Sequence, residues 1–154
     1  MTANALAQTI LLVEDSEDDR EATIRAFRKT NLRNPIVWVS TGEEALRFLL
    51  HEGEYATLDP QSKPGMILLD LNMPGMDGRR VLRKIKENDQ LRTIPVIILT
   101  TSSDEKDINN CYADGANTYI QKPVSFEGLI GSIRGLKEYW FEIALLPKEE
   151  NDAA

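Results

Sequence analysis

Five short apolar runs recur along the chain, and each is followed by a segment in which apolar residues return at helical spacing. The runs are Thr9–Val13, Ile36–Val39, Met66–Asp70, Val96–Thr100 and Thr118–Ile120. Runs that are apolar throughout are typical of strands buried on both faces, not of strands with one face in solvent. Five strands alternating with helices predict an α/β fold whose parallel sheet is covered on both sides.

Two of the predicted helices begin with a capping-box pattern. Thr41–Glu44 and Ser102–Glu105 each place a hydroxyl three residues before a carboxylate. In this motif the two side chains satisfy amides that have no partner at the start of a helix. We therefore expect Thr41 to cap the second helix and Ser102 to cap the fourth. Residues 52–65 between the second helix and the third strand form a longer loop than such connections need.

The composition is that of one ordinary globular domain. Of the 154 residues 42% are apolar and 28% are charged, and the net charge is −7. This acidic balance argues against nucleic-acid binding, which needs clustered Lys and Arg. The single cysteine, Cys111, excludes an internal disulfide and is expected to be a small buried residue. The sequence contains neither a signal-peptide pattern nor an apolar stretch of the ~20 residues that span a membrane, so we expect a cytoplasmic protein.

Polar side chains stand at the ends of four of the five strands. Glu14 and Asp15 follow the first strand, Asp70 ends the third, Thr100 ends the fourth, and Lys122 lies just past the fifth. In an open parallel sheet, ligands bind beyond the carboxyl ends of the strands, where the strand order reverses. Three carboxylates, a hydroxyl and an ammonium are therefore expected to converge on one crevice.

This set of groups predicts a phosphoryl-transfer site. Three neighbouring carboxylates repel one another unless a divalent cation lies among them, and Mg²⁺ prefers such hard oxygen ligands. Asp15 and Asp70 can each supply an oxygen, a backbone carbonyl near Asn72 a third ligand, and Glu14 can act directly or through water. Asp70 is a competent covalent nucleophile, while Lys122 and the metal would neutralise charge on the phosphoryl group.

Four segments resemble, in order and spacing, the motif regions of response-regulator receiver domains. They are Ile10–Ser16, Leu68–Gly78, Pro95–Thr100 and Gln121–Pro123. The resemblance covers Thr9 to Leu136. It implies a flavodoxin-like doubly wound sheet of order 2-1-3-4-5 with five helices, a receiver domain over residues 9–136, and a C-terminal extension over 137–154 without an output domain.

The resemblance also implies a role for each residue of the strand-end set. Asp70 would accept a phosphoryl group from a partner histidine kinase with Mg²⁺ bound. The other implied roles are metal binding by Glu14, Asp15 and the backbone carbonyl of Asn72, contact with the phosphoryl group by Thr100 and Lys122, and a switching movement of Tyr119 coupled to Thr100. The peptide between Lys122 and Pro123 would be cis, as is usual in this family.

A narrower resemblance links two further segments to the phytochrome-associated response regulators of cyanobacteria and bacteria. These segments are His51–Ala56 and Tyr139–Pro147. These relatives take their phosphoryl group from a phytochrome-type histidine kinase, so the resemblance implies such a kinase as the phosphodonor. They are also single-domain proteins, which implies that the downstream target is another protein.

The C-terminal part of the chain, Tyr139–Pro147, forms an apolar tail. The stripe Leu129, Ile133, Leu136, Trp140 and Ile143 predicts one long final helix. Residues 139–146 contain more apolar side chains than one helix face can bury, so the tail either folds back over the domain or forms an interface. We favour a homodimer interface, because large exposed apolar patches usually mark contacts between proteins. Its expected residues are Tyr139, Trp140, Phe141 and Ile143.

Two other functions are compatible with parts of this pattern. A Mg²⁺-dependent aspartyl phosphatase of the haloacid-dehalogenase type needs a second Asp two residues after the nucleophile, where this chain has Asn72. A phosphorylation-independent interaction module would not need the intact set of Asp15, Asp70, Thr100 and Lys122. We therefore expect a phosphoacceptor that catalyses its own phosphorylation and dephosphorylation, not an enzyme acting on a free substrate.

Overall fold

The computed structural model describes residues 9–59 and 62–143, with side chains as far as Trp140. Within these ranges the strands are β1 (Ile10–Val13), β2 (Ile36–Val39), β3 (Met66–Leu69), β4 (Val96–Thr100) and β5 (Thr118–Gln121). The α-helices are α1 (Glu17–Lys29), α2 (Gly42–Leu50), α3 (Gly78–Glu87), α4 (Glu105–Ala113) and α5 (Phe126–Leu136). None of the helices described is long and apolar enough to cross a membrane.

The strands form one parallel sheet of order β2-β1-β3-β4-β5. This is the predicted flavodoxin-like order, and the five apolar runs are confirmed as its strands. The order reverses between β1 and β3, which are neighbours in register from Ile10 opposite Met66 to Val13 opposite Leu69. A crevice opens at such a reversal, beyond the carboxyl ends of the strands. The residues that follow β1 and β3 are therefore placed side by side.

The core lies in two layers, one on each face of the sheet. Alternate residues of a strand point to opposite faces, so Leu11 and Val13 pack with α2, α3 and α4. Ile10 and Leu12 instead pack with α1 and α5. Every residue of β1, β3 and β4 is buried, which explains why these runs are apolar throughout.

Cys111 contributes to the first of these layers from α4. It is 2% exposed, and burial raises the pKa of its thiol to about 11. Because the thiolate is the reactive form of cysteine, the side chain is unreactive at neutral pH. The prediction of a small buried residue at this position is confirmed.

Of the two predicted helix caps, one is confirmed and one is wrong. Thr41 caps α2, since its hydroxyl accepts a hydrogen bond of 3.0 Å from the Glu44 N–H. The cap of α4 is Asp104, whose carboxylate accepts from the Lys106 N–H at 2.9 Å. Asp at this position satisfies the first-turn amides as well as Ser does. The Ser102 hydroxyl accepts from the Asp104 N–H at 3.3 Å and donates to a partner in the site described below.

The connection after α2 is held against that helix. A 3₁₀ turn spans Gly53–Tyr55, and the Tyr55 ring meets the Phe48 ring edge-on with centroids 5.1 Å apart. The Tyr55 hydroxyl donates to Glu44 Oε2 at 2.9 Å. One end of the predicted long loop is thereby packed on α2.

The predicted long final helix continues past Leu136, but not as an α-helix. α5 ends at Leu136, and the chain continues as a π-helical segment over Lys137–Ile143, in which hydrogen bonds span five residues instead of four. Two contacts hold the start of this wider turn: Lys137 Nζ donates to the Thr30 carbonyl at 2.9 Å, and Trp140 packs against the α1–α5 layer.

The predicted dimer surface is described only in part. Tyr139 is 53% exposed, and its ring meets that of Trp140 edge-on with centroids 5.3 Å apart. Trp140 is half-buried. The side chains of Phe141 and Ile143, and the rest of the extension beyond Ile143, lie outside the described residues.

Candidate functional site

The carboxyl ends of the strands bring together three carboxylates and one ammonium. Glu14 follows β1 directly and Asp70 follows β3. Carboxylate oxygens of Glu14, Asp15 and Asp70 all lie within 4.8 Å of one another. Lys122, just past β5, donates from Nζ to Glu14 Oε1 at 2.6 Å and to Asp70 Oδ2 at 3.5 Å. Of the predicted set, the structure thus brings together the three carboxylates and the ammonium.

Burial makes the charge of this crevice costly. Glu14 is 2% exposed; burial raises the pKa of its carboxyl to about 7, against the lowering effect of Lys122, and the charge of Asp70 adds to the rise. Burial by itself would lower the pKa of Lys122, but hydrogen bonds to Asp19 and Glu14 and the charges of Glu14 and Asp70 raise it above its ordinary value. One ammonium therefore faces more negative charge than it neutralises.

The donor set fits a hard divalent cation. Three carboxylates close together and partly buried repel one another, and an ion such as Mg²⁺ relieves that repulsion through oxygen ligands. Asp15 is exposed at the mouth of the crevice, while Glu14 and Asp70 are buried beneath it. The Asn72 N–H points at Asp70 Oδ1, 3.4 Å away, so the backbone of Asn72 borders the same carboxylates.

The hydroxyl groups of Thr100 and Tyr119 differ in their hydrogen bonding. Thr100 is fully buried at the end of β4, and its hydroxyl has no hydrogen-bond partner among the residues described. A buried hydroxyl without a partner is destabilising by about 1–3 kcal/mol, and such groups often mark a place for a ligand. Tyr119 instead donates its hydroxyl to the Ser102 carbonyl at 2.9 Å. Its side chain is tied to the loop between β4 and α4.

A network beside Tyr119 was not anticipated from the sequence. Ser102 Oγ donates to Asp107 Oδ2 at 2.8 Å. Arg79 at the start of α3 donates to both carboxylate oxygens of Asp107, each bond being 2.8 Å long. The Ser102 backbone and side chain thus connect Tyr119 to α3 and α4.

The peptide between Lys122 and Pro123 is trans, as are the other peptide bonds of the described residues. The expectation of a cis bond is therefore wrong for this structure. Lys122 nevertheless points into the crevice, since its N–H donates to the Thr100 carbonyl and three carboxylates attract its ammonium.

Three residues that support the site were missed. Trp38 donates its indole N–H to the Glu14 carbonyl at 2.7 Å, and the Asp70 carbonyl occupies the space that a Cβ atom at Gly78 would need. Asp19 reaches Lys122 Nζ at 2.9 Å. The available signals were a tryptophan in the second strand, a glycine at the end of the second motif segment, and an acid three residues after Ser16. None of these by itself indicates a role in a site.

Comparison with known proteins gives consistent similarities. Residues 10–134 match the response regulator receiver domain family. FilR2 of Methanothrix harundinacea, named a probable methanogenesis regulatory protein, is 42% identical over 132 residues, which are 85% of this chain and 82% of FilR2. Response regulator Rcp1 of Synechocystis sp. is 36% identical over 140 residues, 91% of this chain and 93% of Rcp1.

Two solved structures resemble the whole described fold. The crystal structure of the phosphorylated cyanobacterial phytochrome response regulator RcpA has a TM-score of 0.85 at 40% identity, and the match covers 92% of this chain and 99% of RcpA. The Mn²⁺-bound form of Rcp1 has a TM-score of 0.82 at 37% identity, covering 92% of this chain and 99% of Rcp1. The strand order and the strand-end crevice thus belong to a known architecture.

Proposed function

The chain belongs to the response regulator receiver domain family, and from this premise we propose that it is a stand-alone response regulator phosphorylated on Asp70. The observation that carries the proposal is the ion pair of Lys122 with Asp70 in the cluster of Glu14, Asp15 and Asp70. Thr100, whose buried hydroxyl has no hydrogen-bond partner among the described residues, ends β4, the strand beside β3. In this set Asp70 supplies a nucleophile, Glu14 and Asp15 supply carboxylates that can hold a divalent cation, and Lys122 and Thr100 supply positive charge and a hydrogen bond for a phosphoryl group.

The chemistry follows from the placement of these groups. An Asp70 carboxylate oxygen attacks the phosphorus of a phosphohistidine, the P–N bond breaks, and the imidazole leaves with the bonding electrons. Lys122 neutralises charge on the phosphoryl oxygens, and the Thr100 hydroxyl, which has no partner in the described part of the chain, donates to one of these oxygens. Mg²⁺, held by Glu14, Asp15, Asp70 and the Asn72 carbonyl, would supply the remaining charge neutralisation.

Hydrolysis of the phosphoaspartate uses the same groups, so the protein would catalyse both its own phosphorylation and its own dephosphorylation. Movement of Thr100 toward the phosphoryl group would shift the β4–α4 loop, to which Tyr119 is bonded through Ser102. This shift would alter the surface presented to a downstream protein.

The metal is tested by measuring the labelling of Asp70 in a titration with Mg²⁺ and in a second titration with Mn²⁺. The Mn²⁺-bound form of Rcp1 is a precedent for the second ion.

We propose a phytochrome-type histidine kinase as the phosphodonor. The support is the similarity to RcpA, which is a phytochrome response regulator, over 92% of this chain. FilR2, at 42% identity, is named a probable methanogenesis regulatory protein and not a phytochrome response regulator. The phosphodonor is therefore a separate object of the labelling experiment.

The experiment that tests the function is phosphorylation in vitro. Incubation with acetyl phosphate and MgCl₂ should add one phosphoryl group per chain by intact mass, and EDTA should prevent the addition. A phytochrome-type kinase should label the protein faster than a histidine kinase with an unrelated sensor domain. Metal binding without phosphorylation by any donor would favour the interaction module, and rapid turnover of a generic phosphomonoester would favour the phosphatase.

Replacing Thr100 with Val should separate folding from phosphorylation. The substitution removes a buried hydroxyl that has no hydrogen-bond partner among the residues described, so urea unfolding should show a free energy equal to that of the wild type or higher by about 1 kcal/mol. Phosphorylation by acetyl phosphate should slow by about tenfold, because the phosphoryl group loses a hydrogen bond.

The control is Thr30→Val. The Thr30 hydroxyl is buried and donates to the Ala26 and Phe27 carbonyls, so the same change there should lower the free energy of unfolding by about 1 kcal/mol. Equal losses of stability in the two variants would contradict the assignment of Thr100.

We also propose that the extension mediates homodimerisation. Exposed Tyr139, packed on Trp140, is the described part of the expected surface. Tyr139→Ala should shift sedimentation from dimer toward monomer at a given concentration. Leu50→Ala, which also truncates an exposed apolar side chain, should not. Wild-type protein that sediments as a monomer with and without phosphorylation would contradict the proposal.

A further inference from the structure

Lys122 is held by three carboxylates, and one of them lies outside the cluster that fits a metal. Its Nζ is 2.6 Å from Glu14 Oε1, 2.9 Å from Asp19 Oδ2 and 3.5 Å from Asp70 Oδ2. The three acids with oxygens close together are Glu14, Asp15 and Asp70. Asp19 therefore contacts the ammonium without belonging to the candidate metal site.

The local structure of α1 leaves the Asp19 carboxylate available for this contact. Ser16 caps α1 and accepts a hydrogen bond of 3.2 Å from the Asp19 N–H. In a complete capping box the acid at this position would bind the N–H of the cap residue in return. Here the Ser16 N–H donates to Glu14 Oε2 at 3.2 Å instead. Asp19 is thus free to reach across from α1 to the residue after β5.

The number of donors on an ammonium gives this contact a consequence. Lys122 has three N–H donors, and Glu14 and Asp19 take the two shortest bonds, which leaves the third for Asp70. A cation bound by Glu14 would compete with Lys122 for the Glu14 charge, whereas Asp19 would keep its charge on the ammonium. The Lys122 side chain is 10% exposed and that of Asp19 is 46% exposed. Asp19 therefore holds the buried Lys122 ammonium from the partly exposed edge of the crevice.

We propose that Asp19 is a positioning residue for phosphoryl transfer, which acts by anchoring the Lys122 ammonium so that its remaining N–H stays directed at Asp70. This inference rests on the proposed function, since it assigns Asp19 a part in the same reaction. It gives Asp19 no contact with the phosphoryl group.

A simpler role for Asp19 would be that of an acid in the first turn of a helix, where negative charge is favourable. The neighbouring Asp18 provides the matched control. It lies in the same first turn and carries the same charge, its side chain is exposed, and no ion pair links it to Lys122 in the described part of the chain.

The test compares Asp19→Asn, Asp18→Asn, Lys122→Ala and the double variant Asp19→Asn/Lys122→Ala. The first readout is the rate of labelling by acetyl phosphate with MgCl₂. Asp19→Asn should slow labelling by about tenfold, the effect expected for loss of a charge-assisted hydrogen bond. Asp18→Asn should stay within about twofold of the wild type.

The second readout needs neither metal nor phosphodonor. Urea unfolding of the same four proteins and the wild type in EDTA should show that the effects of Asp19→Asn and Lys122→Ala on stability are not additive. A role of Asp19 in the helix alone would give additive effects, because that role does not pass through Lys122.

The outcomes are distinguishable. Wild-type protein that is never labelled overturns both the proposed function and this inference. Normal labelling of the wild type, with Asp19→Asn equal to Asp18→Asn, overturns the inference and leaves the function standing. Additive stability effects also overturn it, whereas slow labelling together with non-additive stability supports it.

Discussion

Asp70→Asn is expected to abolish Mg²⁺-dependent labelling by acetyl phosphate and by a histidine kinase. The amide has no carboxylate oxygen to attack phosphorus, and the cluster of Glu14, Asp15 and Asp70 loses one of its three charges. Intact mass spectrometry of the treated variant should show no added phosphoryl group, at any concentration of donor that labels the wild type completely.

The control for this result is Asp89→Asn. The Asp89 side chain is 93% exposed and lies 3.8 Å from Arg92 Nε, and Asp89 is none of the residues of the crevice. This variant should be labelled like the wild type, and circular dichroism should show that both variants are folded. Full labelling of Asp70→Asn would place the acceptor on another residue and would undo the proposed mechanism.

Gly78→Ala is expected to cost the protein about 3 kcal/mol of unfolding free energy, at the upper end of the usual range for overpacking. A Cβ atom at Gly78 would collide with the Asp70 carbonyl and would lie 2.7 Å from the Leu71 Cα. Both neighbours are backbone, so no side chain can move away. Because domains are stable by only about 5–15 kcal/mol, urea unfolding should detect the loss easily.

The matched control is Gly131→Ala in α5. An added methyl group there meets nothing within 4 Å, and Ala is a better helix former than Gly by about 1 kcal/mol. The same substitution should therefore stabilise the protein slightly. A Gly78→Ala variant within about 0.5 kcal/mol of the wild type would show that the turn after β3 can relax, contrary to our expectation from its backbone contacts.

The effect of Gly78→Ala should extend to the chemistry. The Gly78 N–H donates to the Leu71 carbonyl at 2.9 Å, which holds the start of α3 against the segment that carries Asp70 and Asn72. Displacing this segment would move the nucleophile relative to Lys122. Labelling by acetyl phosphate should consequently be slower even at a temperature where the variant remains folded.

Several features were predictable because they depend on local pattern. β1, β3 and β4 are buried on both faces, so their apolar runs stand out from the polar sequence around them. A parallel sheet collects the carboxyl ends of its strands at one edge, and this is sufficient to bring Asp70 and Lys122 together although 52 residues separate them.

Other features were mispredicted because two local interpretations competed. Ser102 and Asp104 are both good helix caps, and the choice between them depends on where the Asp107 carboxylate needs a donor. Asp107 is in turn held by Arg79 of α3. The apolar stripe of the final helix likewise does not reveal that the α-helical hydrogen bonds end at Leu136, because a π-helical segment can bury a similar stripe.

The sequence by itself determined the α/β class, the five strands and the strand-end set of acids, hydroxyl and lysine, because burial and strand ends leave a pattern along the chain. Tertiary structure alone decided the partners of that set. Asp19 follows Ser16 at a spacing that favours a helix cap, yet its carboxylate binds Lys122, which is 103 residues away. Trp38 supports Glu14 across the register of β1 and β2. Such contacts join elements that are distant in sequence, and no local pattern encodes which of several possible partners a side chain will meet once the chain has packed.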